Sequence, residues 1–338
     1  MPRVELSAAS PDLCAVHLQY SAFLCASAPP RLCGSRLERL KIFYTDHYVL
    51  PLPPWHRFPM EKYRLLRERV QAEGVAGKYG LQLPPAASDE EILRAHDRGY
   101  LRRVATGALA PEEQRRIGFP WSAEMVERSR RSSGATLAAA RAALEEGVGV
   151  NLAGGTHHAF RDRGEGYCVF NDSAIAALSL QAEGRARRVV ILDCDVHQGN
   201  GTAAILAGDP TVFTFSIHAA SNYPFEKETS DLDIELPDGT GDRDYLDALE
   251  KGVCRALSAA QADLAIYLAG ADPFEGDRLG RLKLSKSGLA ARDRMVFDLC
   301  RSAGLPVAVT MAGGYARRIE DCADIHFTTV RIAAGYAV

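Results

Sequence analysis

The chain has 338 residues, 47% hydrophobic and 25% charged, with a formal net charge of −3. That composition belongs to a globular protein with a large core, and its charge balance gives no reason to expect nucleic-acid binding. No run approaches the roughly 18 apolar residues of a membrane helix. Eight cysteines, none in a CxxC pair, argue against a disulfide framework and a zinc ribbon, and fit reduced thiols in a cytoplasmic setting.

Residues 1–40 hold Cys14, Cys25, Cys33 and Pro29-Pro30 with little periodicity, and His17, Gln19 and Tyr20 break the apolar patches into a poor signal-peptide core. They read as a weakly ordered extension before a single domain over 41–338. Residues 41–44 read as a first strand. Residues 60–72 place Met60, Tyr63, Leu66 and Val70 at helical spacing, and Gly74 ends the run. Ser88 and Glu91 make a capping-box pattern. Residues 122–146 predict a long helix closed by Gly147 and weakened by Gly134. Residues 149–152 are strand-like, and Asn171 suits a cap for the Ala-rich helix that follows. Strands follow at 189–192, 211–217, 264–268 and 307–311, with helices at 242–260, at 287–302 and from 318 onward. Such alternation implies a three-layer α/β/α domain with a mostly parallel central sheet. The basic clusters Arg128, Arg130, Arg131 and Arg185, Arg187, Arg188 read as solvated faces.

The strand over 189–192 runs into Asp193-Cys-Asp195-Val-His197. In extended backbone these three metal-capable side chains share one side. In such folds ligands sit beyond the carboxyl ends of the strands, and three other strand ends also carry chemistry. Ala-Gly-Gly-Thr-His157-His158 follows the strand at 150–152, Ala-Gly-Ala-Asp272 follows 265–268, and Ala-Gly-Gly-Tyr315 follows 307–311. Each has an ordinary reading taken alone: an incidental His pair, a helix cap before Pro273, a turn with a packing aromatic. Their recurrence at strand ends has none.

Asp195, His197 and Asp272 would hold a cation with room for water and a substrate carbonyl. His158 suits the base that takes the water's proton and later protonates the leaving amine. Tyr315 suits an oxyanion donor. His157 and Asp193 suit a pair in which the carboxylate orients the ring, and Asn200 could do the same for His158 as a neutral partner.

Taken together, GGTHHAF (154–160), GYCVFND (166–172), DCDVHQGNGT (193–202), AGADPFEGDRLG (269–280) and AGGYARR (312–318) resemble the histone deacetylase family, within the arginase/deacetylase superfamily, most of all its class IV branch and bacterial relatives. The resemblance implies an arginase/deacetylase-like fold and zinc bound by Asp195, His197 and Asp272. It makes His157 and His158 the histidine pair, Tyr315 the transition-state tyrosine and Asp193 the aspartate behind the first histidine. Asn200 falls where some members have aspartate. Gly166 and Tyr167 match one acyl-tunnel wall and Tyr223 the other. Asp193 and Ser216 resemble a structural potassium site.

The expected activity is zinc-dependent removal of an acyl group from N-acyl-lysine in peptides or proteins. The alternatives are deacetylation of small N-acyl amines such as acetylpolyamines, or non-catalytic reading of acyl-lysine. Leu279 stands where polyamine-selective relatives place an acid, which argues against a polycation. A manganese ureohydrolase would need more aspartates in these loops. Two carboxylates and an imidazole also accept iron(II) or cobalt. Neither a membrane nor a nucleic-acid partner is expected, and no oligomeric state follows from the sequence.

Overall fold

Along residues 189–192 successive side chains are buried on opposite sides. Val189 and Ile191 join one apolar cluster, while Val190 and Leu192 join another. This period of two, apolar on both faces, is the signature of a strand covered by helices above and below. It recurs in Leu264 and Ile266 against Ala265 and Tyr267. The computed structural model describes residues 40–337. The expected extension therefore lies, apart from the buried core residue Leu40, outside the described residues.

The strands among them are β1 (Lys41–Phe43), β2 (Leu81–Gln82), β3 (Val148–Asn151), β4 (Val189–Asp193), β5 (Val212–Ala219), β6 (Leu232–Leu236), β7 (Leu264–Leu268) and β8 (Val307–Thr310). They form one sheet in the order β2-β1-β3-β8-β7-β4-β5-β6, with every pair parallel. The helices are α1 (Glu61–Ala72), α2 (Asp89–Ala95), α3 (Arg98–Thr106), α4 (Pro111–Ile117), α5 (Ala123–Glu146), α6 (Asp172–Ala182), α7 (Asn200–Leu206), α8 (Asp242–Ala260), α9 (Lys286–Ser302) and α10 (Ile319–Ala334). Leu66 of α1, Val253 of α8, Val296 of α9 and Val330 of α10 pack on the Val190 side. Ile92 of α2, Leu101 of α3, Ile117 of α4, Leu137 of α5 and Ile175 of α6 pack on the Val189 side. Helices on both faces of a parallel sheet make the expected three-layer α/β fold. No helix of the described residues is long and apolar enough to cross a membrane.

Local chemistry sets several helix starts. The Ser88 hydroxyl accepts from the Glu91 amide at 3.2 Å while the Glu91 carboxylate accepts from the Ser88 amide at 2.8 Å, a complete capping box. Ser122 caps α5 and Asn171 caps α6. Ser285 caps α9, so that helix begins one residue before the expected 287. β2, β6, α3, α4 and α7 are not among the expected elements. β6 (Leu-Asp-Ile-Glu-Leu) is an edge strand with acidic residues in its alternation.

Two expectations are corrected. Arg128 does not lie on a solvated face: it is buried, with its guanidinium 4.7 Å from the Tyr63 ring centroid. Gly134 reads as a weak point in α5, yet it is a packing requirement. A Cβ there would lie 2.0 Å from the Pro85 carbonyl oxygen and 2.9 Å from the Ala87 amide nitrogen. Gly134→Ala should therefore destabilise the domain by about 1–3 kcal/mol, although intrinsic helix propensity alone favours alanine by about 1 kcal/mol. Chemical denaturation would read the difference, and a higher midpoint in the variant would refute the packing explanation.

Candidate active site

β3, β8, β7 and β4 are contiguous in the sheet, so the loops leaving their carboxyl ends converge. Strand β4 ends at Asp193, and residues 195–197 bend rather than continue extended. The three alternating side chains therefore separate, which corrects the expectation of one shared side. Asp193 turns to His157, its Oδ2 being 2.7 Å from Nδ1. Asp195 and His197 turn instead to Asp272 from the loop after β7, and the three offer buried ligand atoms within 4.8 Å of one another.

Backbone amides hold these carboxylates in place. Asp195 accepts from the His197 amide through Oδ1 at 2.9 Å and from the Gly313 amide through Oδ2 at 2.8 Å. Asp272 Oδ1 accepts from the Val196 amide at 3.0 Å. Asp272 Oδ2 is buried without a hydrogen bond, 3.4 Å from His197 Nδ1. A buried anionic oxygen without a donor is costly unless a cation meets it, and this donor set suits a divalent metal. The small residues of both motifs have a concrete purpose here. A Cβ at Gly313 would lie 1.9 Å from Asp272 Oδ2, and one at Gly270 would lie 2.9 Å from Asp195 Oδ2.

The group's field favours positive charge. Burial opposes the His197 cation, but Asp195 and Asp272 outweigh it and raise its pKa to about 10. Burial and the neighbouring Asp195 push Asp272 up to about 6, whereas the two imidazoles His157 and His197 overcome burial at Asp195 and hold it below the usual carboxylate range.

The histidine pair is electrostatically split, with ring centroids 4.1 Å apart. Burial disfavours charge on His157, but Asp193 and Asp195 prevail and raise it to about 9. Burial, with His157 and His197 as cationic neighbours, drives His158 well below the ordinary imidazole value. His158 Nδ1 lies 2.7 Å from Asn200 Oδ1.

These groups line one cavity of about 450 Å³. His157, His158, Asp195, His197, Asp272 and Tyr315 all face it, as do Gly166, Tyr167, Tyr223 and Leu279. Asn200 and Asp193 stand behind the histidines. Tyr315 is buried, and burial together with Asp272 and Asp195 pushes its phenol well above the ordinary value, so it is a neutral donor. Tyr167 has φ 67°, a conformation seldom taken by a non-glycine residue. Its ring packs against Phe58 and Phe119 at 5.2 and 5.3 Å and closely covers Gly118, where a Cβ would lie 2.8 Å from Tyr167 Cε1. Tyr223 meets the His158 ring edge-on at 5.0 Å. The exposed lining residues Arg115, Arg116, Arg281, Ser221 and Phe225 mark the mouth.

Several residues here escape sequence reasoning. Arg292 is fully buried in α9, and its Nη1 donates to the carbonyls of Cys194 and Gly270, at 3.3 and 2.5 Å, in the loops carrying Asp195 and Asp272. The signal was an Arg292-Asp293 pair inside the apolar stripe Leu289–Val296–Cys300. Lys62 likewise interrupts the apolar face of α1 and donates to the carbonyls of Ala312 and Gly314 at 3.3 Å. Asp277 lies within a recognised motif and accepts from the Tyr315 amide at 2.6 Å. Glu165 carried no signal. Its Oε1 receives the Asn200 amide at 2.8 Å and the Tyr223 hydroxyl at 2.9 Å.

The parallel sheet and the buried acid–imidazole group at its carboxyl edge define an α/β protein of the metal-dependent hydrolase class. The chain belongs to the histone deacetylase family, whose domain matches residues 56–330. It is 45% identical over 295 residues to an uncharacterized protein of Picosynechococcus sp., covering 86% of this chain and 97% of that one. It is 30% identical over 301 residues to histone deacetylase 2 of Arabidopsis thaliana, covering 83% and 76%. The histone deacetylase-like amidohydrolase of Pseudomonas aeruginosa is 29% identical over 282 residues, covering 79% of this chain and 74% of its own. The solved structure of an HDAC homolog from Aquifex aeolicus shares the fold with a TM-score of 0.76 at 24% identity, covering 89% of this chain and 85% of that one.

Ligation by His197 requires the neutral ring, so metal binding must expel its proton. With that pKa near 10 and Asp272 near 6, apparent zinc affinity should rise about tenfold per pH unit between roughly 6 and 9, flatten toward 10, and steepen below 6. Chelator competition on the apoprotein would measure the slope, and a flat profile would mean that His197 does not ligate.

Proposed function

We propose that this chain is a zinc-dependent amidohydrolase that removes the acyl group from N-acyl-lysine in peptides or proteins. One observation carries the proposal. A buried Asp195–His197–Asp272 group, a neutral His158 and the Tyr315 phenol line the same cavity, whose walls include Tyr167, Tyr223 and Leu279. A relative named as an amidohydrolase supports the reaction class. We also infer a structural potassium ion beside Asp193 and its β5 register neighbour Ser216.

Bound zinc would supply Lewis acidity toward water and the acyl carbonyl. His158, neutral and tied through Nδ1, presents Nε2 to receive the water's proton. That proton then passes to the amine nitrogen as its bond to the acyl carbon breaks, leaving a carboxylate and a free amine. His157 keeps positive charge beside the reacting centre, with Asp193 holding its ring. Tyr315 donates to the acyl oxygen as that atom gains negative charge. Tyr167 and Tyr223 flank a straight alkyl stem and exclude water from it. Leu279 and the arginines at the mouth disfavour a polycation, so acetylpolyamines rank below acyl-lysine.

Tyr315→Phe should lower kcat on an acetyl-lysine peptide about 10²–10³-fold while zinc content and peptide affinity stay unchanged. His158→Ala should abolish turnover and likewise keep the metal. A wild-type protein that binds acetyl-lysine peptides, releases no acid with zinc, iron(II) or cobalt, and is indifferent to both changes would be a reader rather than an enzyme. Metal loss in His158→Ala would overturn the division of roles.

A further inference from the structure

We propose that Glu165 is a positioning residue that sets the orientation of the Asn200 amide, and through it the tautomer and placement of His158, while tying the tunnel wall at Tyr223 to the same carboxylate. The inference rests on the reading of His158 as the proton-transfer group.

An asparagine side chain is nearly symmetric in shape, so only its partners decide which end faces which way. At Asn200 one end faces an imidazole nitrogen, which could donate or accept. The other faces Glu165 Oε1 at 2.8 Å. A carboxylate only accepts, so the amide nitrogen must point to Glu165 and the amide oxygen to His158. The oxygen in turn demands a proton on His158 Nδ1, 2.7 Å away, and leaves Nε2 with its lone pair free for the reacting water. Without the carboxylate, Asn200 could rotate end for end, donate to Nδ1 and place the proton on Nε2. A ring in that state cannot act as a base toward the cavity.

Three further features mark the contact as built rather than incidental. Glu165 is buried at 9% exposure and lines the same hydrogen-bonded system as the tunnel. Two donors from distant parts of the chain, Asn200 and Tyr223, converge on one oxygen, and bonds to an ionised acceptor are roughly twice as strong as neutral ones. The neighbouring Gly166 packs so closely on the His158 ring that a Cβ would lie 2.6 Å from Cδ2. Residues 165–166 thus press on the ring from one side and fix its hydrogen-bond partner on the other. Arg163, with Nε 3.6 Å from Glu165 Oε2, offsets the buried charge. The role of an aspartate behind the second histidine is here divided between a neutral amide and a remote carboxylate.

The experiment compares Glu165→Leu, Glu165→Ala, Glu165→Gln, Asn200→Ala and the Glu165→Leu/Asn200→Ala double variant as zinc-loaded full-length protein. Turnover of an acetyl-lysine peptide is measured beside zinc content and imidazole nitrogen NMR of His158. Glu165→Leu and Glu165→Ala should each lower kcat about 10–100-fold with KM changed less than about threefold and zinc retained. Their His158 resonances should lose the pure Nδ1–H tautomer. Glu165→Gln, which keeps an acceptor oxygen, should restore kcat to within about fivefold of wild type. The Leu change should add nothing in the Asn200→Ala background, because the two residues act as one unit. An unchanged kcat and tautomer in both Leu and Ala variants, or a loss that adds fully to that of Asn200→Ala, would overturn the proposal. Should the Leu variant fail to fold, the Ala and Gln variants decide alone. Should the wild-type protein turn over no acyl-lysine, the proposed function fails, but the nitrogen spectra still decide the tautomer.

Discussion

Two carboxylates, Asp195 and Asp272, are forced together in the protein interior at the carboxyl ends of the central strands β4 and β7, and the surrounding structure follows from that juxtaposition. Their like charges in a poorly polarisable setting raise the energy of both unless positive groups or donors intervene. The compensation comes from His157 and His197 and from the amides of Val196, His197 and Gly313, while Arg292 grips the backbone of both loops. The glycines at 270 and 313 are consequences of the same crowding, since any side chain there would occupy space the carboxylates fill. A bound cation would relieve what remains, above all at the undonated oxygen of Asp272.

The same arithmetic divides labour between two chemically identical rings. His157 has a carboxylate behind it and another beside it, so it holds a proton. His158 has an amide behind it and two cationic neighbours, so it remains neutral. Neither state is intrinsic to imidazole, because each is set by its partner, Asp193 at the end of β4 or Asn200 at the start of α7. One ring thus rests protonated while its neighbour keeps a free lone pair, the state a general base needs.

How much of this was legible before the structure depends on range. The apolar strands and the polar residues at their ends are local signals, so β4, β7 and the loops with Asp195, His197 and Asp272 could be read directly from the chain. The bend after Asp193 could not be, because its amides turn both to the nearby carboxylates Asp193 and Asp195 and to Asp272 on another loop. Gly134 misleads for a similar reason: propensity describes an isolated helix, whereas the residue answers to the backbone of Pro85. Arg128 was assigned to solvent by its basic neighbours, yet it sits buried against Tyr63. Glu165 is the clearest case. Nothing near it in sequence marks it, and its meaning comes wholly from Asn200 and Tyr223, which reach it from elsewhere in the chain.

The loops after β4, β7 and β8 brace one another directly. The Gly313 amide reaches Asp195, the Val196 amide reaches Asp272, and the Ala271 amide reaches the Gly313 carbonyl at 2.9 Å. Hydrogen bonds among the three loops thus hold the donor groups in place. A metal seated among Asp195, His197 and Asp272 would therefore have little chain left to order.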